Sequence, residues 1–233
     1  MKKMIVASTS TVYGSDYLEY LLPELHSFYS NIEELLFIPY ARPSGISYNI
    51  YTERVALFFK KLNIAVNGIH EFKQPKLAVQ KAQAIFIGGG NTFELVNQLY
   101  KNDIIEVLQK AIGKGVPYLG TSAGSNICGV SMMNTNDMPI VYPPSFKTLG
   151  CFPFNINAHY LDVDKTSTHM GETRETRIQE FHVFNDTPVL GLREGSWLVI
   201  EDEQIVLRGN SSARLFQPSR KPLELKSGAE VKF

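Results

Sequence analysis

The chain has 233 residues, 44% hydrophobic and 20% charged, with 23 basic and 23 acidic side chains and a formal net charge of zero. That is ordinary globular composition, enough for one well-buried core and without the basic excess of a nucleic-acid binder. No apolar run approaches the roughly 20 residues of a membrane span, and two cysteines, Cys128 and Cys151, are too few for a secreted disulfide scaffold. The expected setting is therefore reducing and cytoplasmic, with both thiols in the core. The opening MKKMIVASTS has only four consecutive apolar residues, short of the apolar region of a secretion signal.

In chain order, Met4–Ala7 and Leu35–Ile38 read as short strands. Tyr51, Val55, Phe58, Phe59 and Leu62 follow the stripe of a helix. Ile64–Ile69 and Ala84–Ile87 read as strands, Ile104, Leu108, Ala111 and Ile112 as a helix ending at Gly113 and Gly115, and Val116–Leu119 as the next strand. Such alternation predicts an α/β fold with a mostly parallel sheet flanked by helices on both faces. The last third changes character. Glu172–Phe184 reads as a helix, and Val189–Gly191, Trp197–Ile200, Ile205–Leu207 and Arg214–Phe216 follow with turns between them. That pattern predicts antiparallel hairpins at the C-terminal edge of the sheet. No linker or repeat interrupts the chain, so one domain over residues 1–233 is expected.

Ligands of open α/β sheets sit beyond the carboxyl ends of the parallel strands. The unusual residues of this chain follow strand ends. Gly120-Thr121-Ser122-Ala123-Gly124 fits G-x-S-x-G, a sharp turn that exposes a nucleophilic serine and aims the Ala123 N–H at a developing oxyanion. The competing reading is a tight βα turn whose small residues only permit packing. Gly88-Gly89-Gly90 follows another strand, and its side-chain-free backbone can approach a ligand, one N–H serving as a second oxyanion donor. It matches neither G-x-G-x-x-G nor a P-loop, which speaks against nucleotide binding.

Of five histidines, His26 and His182 fall on predicted helices, His70 closes a strand and His169 lies in the loop before MGETRETR. Only His159 directly follows a strand in a polar loop, so it is the candidate base. No H-E-x-x-H or paired-cysteine spacing suggests a metal, and no cofactor is expected. Two carboxylates compete to orient the imidazole. Glu194 follows a predicted strand and gives the order Ser–His–Glu; Asp137 lies in an irregular stretch and gives Ser–Asp–His. Placement favours Glu194 and leaves Asp137 as the alternative.

Together, GGGNTF, GTSAGSN, TNDMPIVYP, NINAHY, GETRETRI and GLREGSW resemble, in order and spacing, the peptidase E family of α-aspartyl serine dipeptidases. The resemblance runs over nearly the whole chain. It implies an intracellular hydrolase that removes N-terminal aspartate from Asp-X dipeptides, on a parallel α/β sheet distinct from the α/β-hydrolase fold. It also implies Ser122 as nucleophile, His159 as base, Glu194 as orienting acid, and Gly90 and Ala123 as oxyanion donors. Arg174 would meet the substrate's aspartate side chain, with Asn91 and Asp137 as further polar positions. The segment YLDVDKTSTHM is a candidate lid. The implied partner is a small peptide, not nucleic acid or membrane; monomer and homodimer both stay open. A cyanophycinase-like peptidase, a non-catalytic ligand-binding relative and a lipase or esterase are the competing readings. The compact GETRETRI favours a dipeptidase over the first, and the intact Ser122, His159 and Glu194 argue against the second. The third would place its acid before its histidine, as Asp137 does.

Overall fold

A computed structural model describes every residue except Lys165, Ser167, His169 and Phe233. His169 and part of the candidate lid therefore lie outside the described residues. The strands are β1 (Lys3–Ala7), β2 (Glu34–Ile38), β3 (Ala65–Gly68), β4 (Ile85–Ile87), β5 (Tyr118–Thr121), β6 (Asn155–Ala158), β7 (Val189–Leu192), β8 (Ser196–Glu201), β9 (Gln204–Gly209), β10 (Ala213–Phe216) and β11 (Leu223–Leu225). The helices are α1 (Leu22–Phe28), α2 (Tyr48–Phe59), α3 (Pro75–Lys81), α4 (Thr92–Lys101), α5 (Ile105–Gly113), α6 (Ala123–Asn126) and α7 (Arg174–Phe184).

Seven strands form one sheet in the order β3-β2-β4-β5-β1-β8-β9. The first five are mutually parallel, and β8 and β9 extend the β1 edge in antiparallel register. The parallel strands are apolar on both faces because both are covered. In β1, Met4 and Val6 enter one core with α4 and α5, while Ile5 and Ala7 enter the other with α1 and α2. β2 divides the same way, Leu36 and Ile38 against Leu35 and Phe37. This period of two fixes each strand's register, since a one-residue slip would exchange the faces.

The C-terminal third meets the expected antiparallel edge addition through β8 and β9 and adds a second sheet beside it. Only β8 and β9 join the large sheet; β7 and β10 belong to a second, four-stranded sheet in the order β11-β10-β7-β6. Within it β6 and β7 run parallel, and β7, β10 and β11 are antiparallel neighbours. The second sheet turns Leu190, Leu192 and Ile156 into the core shared with α4 and α5. Its other face packs Val189 and Phe216 with Tyr160 and Ile178 of α7. Turn residues signal that hairpins exist, but which edge receives them depends on long-range burial, so local sequence cannot choose between the sheets.

Helix starts follow capping chemistry. Ser47 caps α2 and Thr173 caps α7, each side chain accepting an N–H from the first turn. Hence α2 begins before Tyr51, and α7 begins at Arg174 rather than Glu172. The helices α1, α3 and α4 were not anticipated by apolar spacing.

Candidate active site

β5 delivers Ser122 at its carboxyl end. The serine has φ 53° and ψ −111°, a conformation that costs a non-glycine residue on the order of 1–3 kcal/mol. Close packing of the flanking backbone makes that turn possible. A Cβ on Gly120 would stand 2.6 Å from the Gly124 carbonyl oxygen, and one on Gly124 would stand 2.1 Å from the Ile87 carbonyl oxygen. Both positions therefore exclude side chains, as a strained nucleophile turn requires. The helix that follows, α6, has only four residues, so any oxyanion must be met by individual N–H groups rather than by a helix dipole.

Three side chains form a continuous hydrogen-bonded relay. The Ser122 hydroxyl oxygen lies 2.9 Å from His159 Nε2, and His159 Nδ1 lies 2.7 Å from Glu194 Oε1. His159 follows β6 and Glu194 follows β7, so base and acid come from the second sheet and the serine from the first. His159 too has a positive φ, of 55°. In the tautomer whose Nδ1–H donates to the carboxylate, Nε2 faces the Ser122 hydroxyl as an acceptor, an arrangement suited to taking up a proton. Asp137 is elsewhere. Its Oδ2 accepts the Thr92 N–H at 2.7 Å and a hydroxyl hydrogen bond from Thr135 at 3.1 Å. The geometry thus selects Glu194 over Asp137 as His159's partner.

Ser8, which sequence reasoning missed, joins the two sheets at this point. Its hydroxyl donates to the Leu192 carbonyl at 2.8 Å and accepts the His159 N–H at 3.0 Å. The residue before it, Ala7, accepts the Ser122 N–H at 3.1 Å and the Ser125 hydroxyl at 2.6 Å. The end of β1 therefore sets the backbone of Ser122 and His159 together. The available signal was a polar run, Ser8-Thr9-Ser10, directly after an apolar strand.

The glycine run lies against the serine. A Cβ on Gly89 would stand 3.0 Å from that of Ser122, and one on Gly90 would stand 2.1 Å from the Ala41 carbonyl oxygen. Gly90 has φ 148°, so glycine is required there on both counts. Among the described residues, neither the Gly90 nor the Ala123 N–H donates to an acceptor within the chain. Two backbone donors thus remain available beside the serine.

Asn91 caps α4, its Oδ1 accepting the Glu94 N–H at 3.1 Å while its amide nitrogen donates to the Met138 carbonyl at 2.8 Å. It therefore ties the Asp137 segment to the start of α4. Arg174 opens α7 and lines a cleft of about 380 Å³ with Arg177 and the carboxylates Asp162, Asp164 and Glu172; Ser122, His159 and Glu194 are not among its lining residues. Burial and the neighbouring Arg177 lower its pKa from the usual arginine value, and Asp137 opposes them. Among the described residues the arginine ion pairs belong to Arg193 and Arg214, not to Arg174 or Arg177. Asp137 and Arg174 thus place one negative and one positive group within electrostatic reach of each other, with no direct ion pair at Arg174 among the described residues. Arg193 donates to Asp162, which lines the Arg174 cleft, and to Glu224 and Ser212. A larger groove, of about 460 Å³, runs along Glu34–Leu36 and Gln83, where β2 and β4 begin. That is the opposite end of the parallel strands from Ser122. No helix among the described residues is long and apolar enough to cross a membrane.

Comparison with known proteins shows the family. Residues 4–208 match peptidase family S51. The chain is 47% identical over 228 residues to the peptidase E of Streptomyces coelicolor, covering 98% of this chain and 93% of that one. It is 38% identical over 235 residues to a Drosophila melanogaster protein named probable alpha-aspartyl dipeptidase, covering 100% and 97%. The crystal structure of a peptidase from an acI-B1 Actinobacterium superimposes with a TM-score of 0.75 at 15% identity, covering 100% of this chain and 97% of that one, a likeness of fold alone. Family match and full-length identity agree, and the chain belongs to peptidase family S51, as a hydrolase of the serine peptidase type.

Proposed function

We propose that the chain is a dipeptidase that hydrolyses Asp-X dipeptides bearing a free N-terminal aspartate, through an acyl-Ser122 intermediate. The observation that carries the mechanism is the relay from Glu194 through His159 to Ser122, at 2.7 and 2.9 Å. Ser122 Oγ attacks the scissile carbonyl carbon while His159 Nε2 takes its proton. The tetrahedral oxyanion is met by the Gly90 and Ala123 N–H groups. Collapse breaks the C–N bond, and His159 returns the proton to the departing amine. Water, deprotonated by the same imidazole, then cleaves the aspartyl ester and regenerates the serine. Glu194 stays ionised throughout and keeps Nδ1 protonated.

We assign selectivity for aspartate to Arg174 and Asp137, whose charges act on each other. Arg174 receives the side-chain carboxylate, which must leave water to enter the cleft and would be costly to bury without a cation. Asp137 takes the α-ammonium through the oxygen not bound by Thr92 and Thr135. Asn91 serves the same pocket by fixing the Asp137 segment and with its remaining amide N–H. The name of the Drosophila relative, probable alpha-aspartyl dipeptidase, supports this specificity. Two buried, unpaired thiols, Cys128 and Cys151, suit a reducing, cytoplasmic setting.

The test is a dipeptide panel: Asp-Leu against Glu-Leu, Asn-Leu, Ala-Leu and N-acetyl-Asp-Leu. The expected result is activity confined to Asp-Leu. Comparable turnover of Ala-Leu or of the blocked peptide would overturn the assignment.

A further inference from the structure

Gly89 and Gly90 share one peptide unit. Its carbonyl accepts a hydrogen bond from the Tyr51 hydroxyl at 3.3 Å. Its N–H is the Gly90 donor assigned above to the oxyanion. A trans peptide is planar, so its C=O and N–H point in opposite directions, and whatever holds the carbonyl also aims the N–H. We propose that Tyr51 is a positioning residue for the reaction, its hydroxyl holding the Gly89 carbonyl so that the Gly90 N–H stays turned toward the oxyanion. The inference rests on the peptidase reading given above.

The peptide needs such a restraint. A unit flanked by two glycines has the weakest steric barrier to rotation that a chain can offer. The loop is otherwise tied at its ends, by the Gly88 N–H to the Ile38 carbonyl at 3.4 Å and the Asn91 N–H to the Ala41 carbonyl at 2.7 Å. Neither bond touches the Gly89–Gly90 peptide. Tyr51 itself cannot drift. It is 2% exposed on α2, its ring meets Phe37 edge-on at 4.9 Å, and the Arg42 guanidinium lies 5.6 Å from its centroid. A Cβ on Gly88 would stand 2.5 Å from the Tyr51 hydroxyl oxygen, so the loop rests directly on this group. The Tyr17 hydroxyl beside it is buried and makes no hydrogen bond of good geometry, which leaves the Gly89 carbonyl as the acceptor Tyr51 uses.

Tyr51→Phe removes the hydroxyl and keeps the ring. It should lower kcat about 10- to 100-fold with KM changed less than about twofold, since an oxyanion donor acts only in the transition state. A purely structural role would not separate two ligands that the hydroxyl distinguishes. Aspartyl aldehyde forms a tetrahedral adduct with an oxygen in the oxyanion position, whereas free aspartate forms none. The variant should bind the aldehyde more weakly by the same factor as its loss in kcat and bind aspartate as the parent does. This ratio of affinities is insensitive to how much of the variant folds. Unchanged kcat, or equal losses of affinity for aldehyde and aspartate, would overturn the proposal. Should the parent prefer another N-terminal residue, the amino acid and aldehyde of that residue replace aspartate's. A wrong substrate and a wrong role for Tyr51 therefore give different results.

Discussion

The two sheets contribute different halves of one relay, and they are held by different forces. The large sheet supplies Ser122 and both free N–H groups from a framework sealed by helices on each face. Each fully buried Leu, Ile or Phe there adds about 1.5–3 kcal/mol, enough to offset the strain at Ser122. The small sheet supplies His159 and Glu194. One face shares the main core, but its outer rim is clamped by charge: Arg193 bonds Asp162 at 2.7 Å and Glu224 at 2.5 Å, and Arg214 bonds Glu175 at 3.0 Å. Ser122 is thus set by apolar packing and the His159–Glu194 pair in part by ion pairs. Ser8 is the polar seam between them.

The comparison is broken most severely at the nucleophile. Ser122→Ala should lower kcat by about 10⁴- to 10⁶-fold, leaving the acceleration from binding and the oxyanion donors. Near-normal turnover by the purified variant would remove the large sheet's half of the relay from the mechanism.

The small sheet's half is tested by Glu194→Gln, which keeps shape but favours the wrong tautomer. A loss of about 10³- to 10⁴-fold in kcat is expected. Asp137→Asn should instead act chiefly on KM. A larger kcat loss at Asp137 than at Glu194 would reverse the two roles.

Arg174→Ala tests specificity rather than chemistry. Loss of a desolvated charge partner typically costs about 2–5 kcal/mol, or roughly 30- to 5,000-fold in kcat/KM for Asp-Leu. Ala-Leu hydrolysis should be unaffected or improve, and Arg174→Lys should restore only part of the loss because the guanidinium fork is gone. Equal losses on both substrates would place Arg174 in folding or general catalysis.

The seam is sharpened by Ser8→Ala, which leaves the part-buried His159 N–H without its acceptor. About 1–3 kcal/mol of stability should be lost, measured by urea unfolding, with kcat falling more than KM rises. Wild-type stability and turnover would show that the sheets dock without this hydroxyl.

The smallest effect concerns the charged rim. Hydrogen bonding from Arg193 holds the Asp162 carboxyl below its usual range against the effect of burial. At Glu224, burial pushes upward but the bonds from Arg193 and Ser212 prevail, so its pKa also falls. Each folded-state value lies below the unfolded one, so the unfolded chain binds more protons through that interval. Their stabilisation is therefore full above the ordinary carboxylate range near about 4 and is lost as pH falls through the folded values. Amide exchange in β7 and β10, corrected for intrinsic rates, should lose protection on acidification before exchange in β4 and β5 does. Simultaneous loss would show that the ion pairs add nothing to the small sheet.

The parallel half of the fold and the candidacy of Ser122, His159 and Glu194 are legible in the chain itself, because both depend on local chemistry. Buried strands must be apolar, and a strained turn must be flanked by residues without Cβ atoms, so Met4–Ala7, Ala84–Ile87 and Gly120–Gly124 were legible one segment at a time. Ser122, His159 and Glu194 could be proposed because each follows such a strand. Tertiary structure alone decided that β7 and β10 leave the large sheet and that Glu194 rather than Asp137 meets the imidazole. It also decided that Ser8 and Tyr51 bear on the site at all. Those are matters of distance between segments up to 151 residues apart. Local propensity and periodicity carry no information about which distant backbone group a buried hydroxyl will meet, because that choice follows from how whole faces bury against one another.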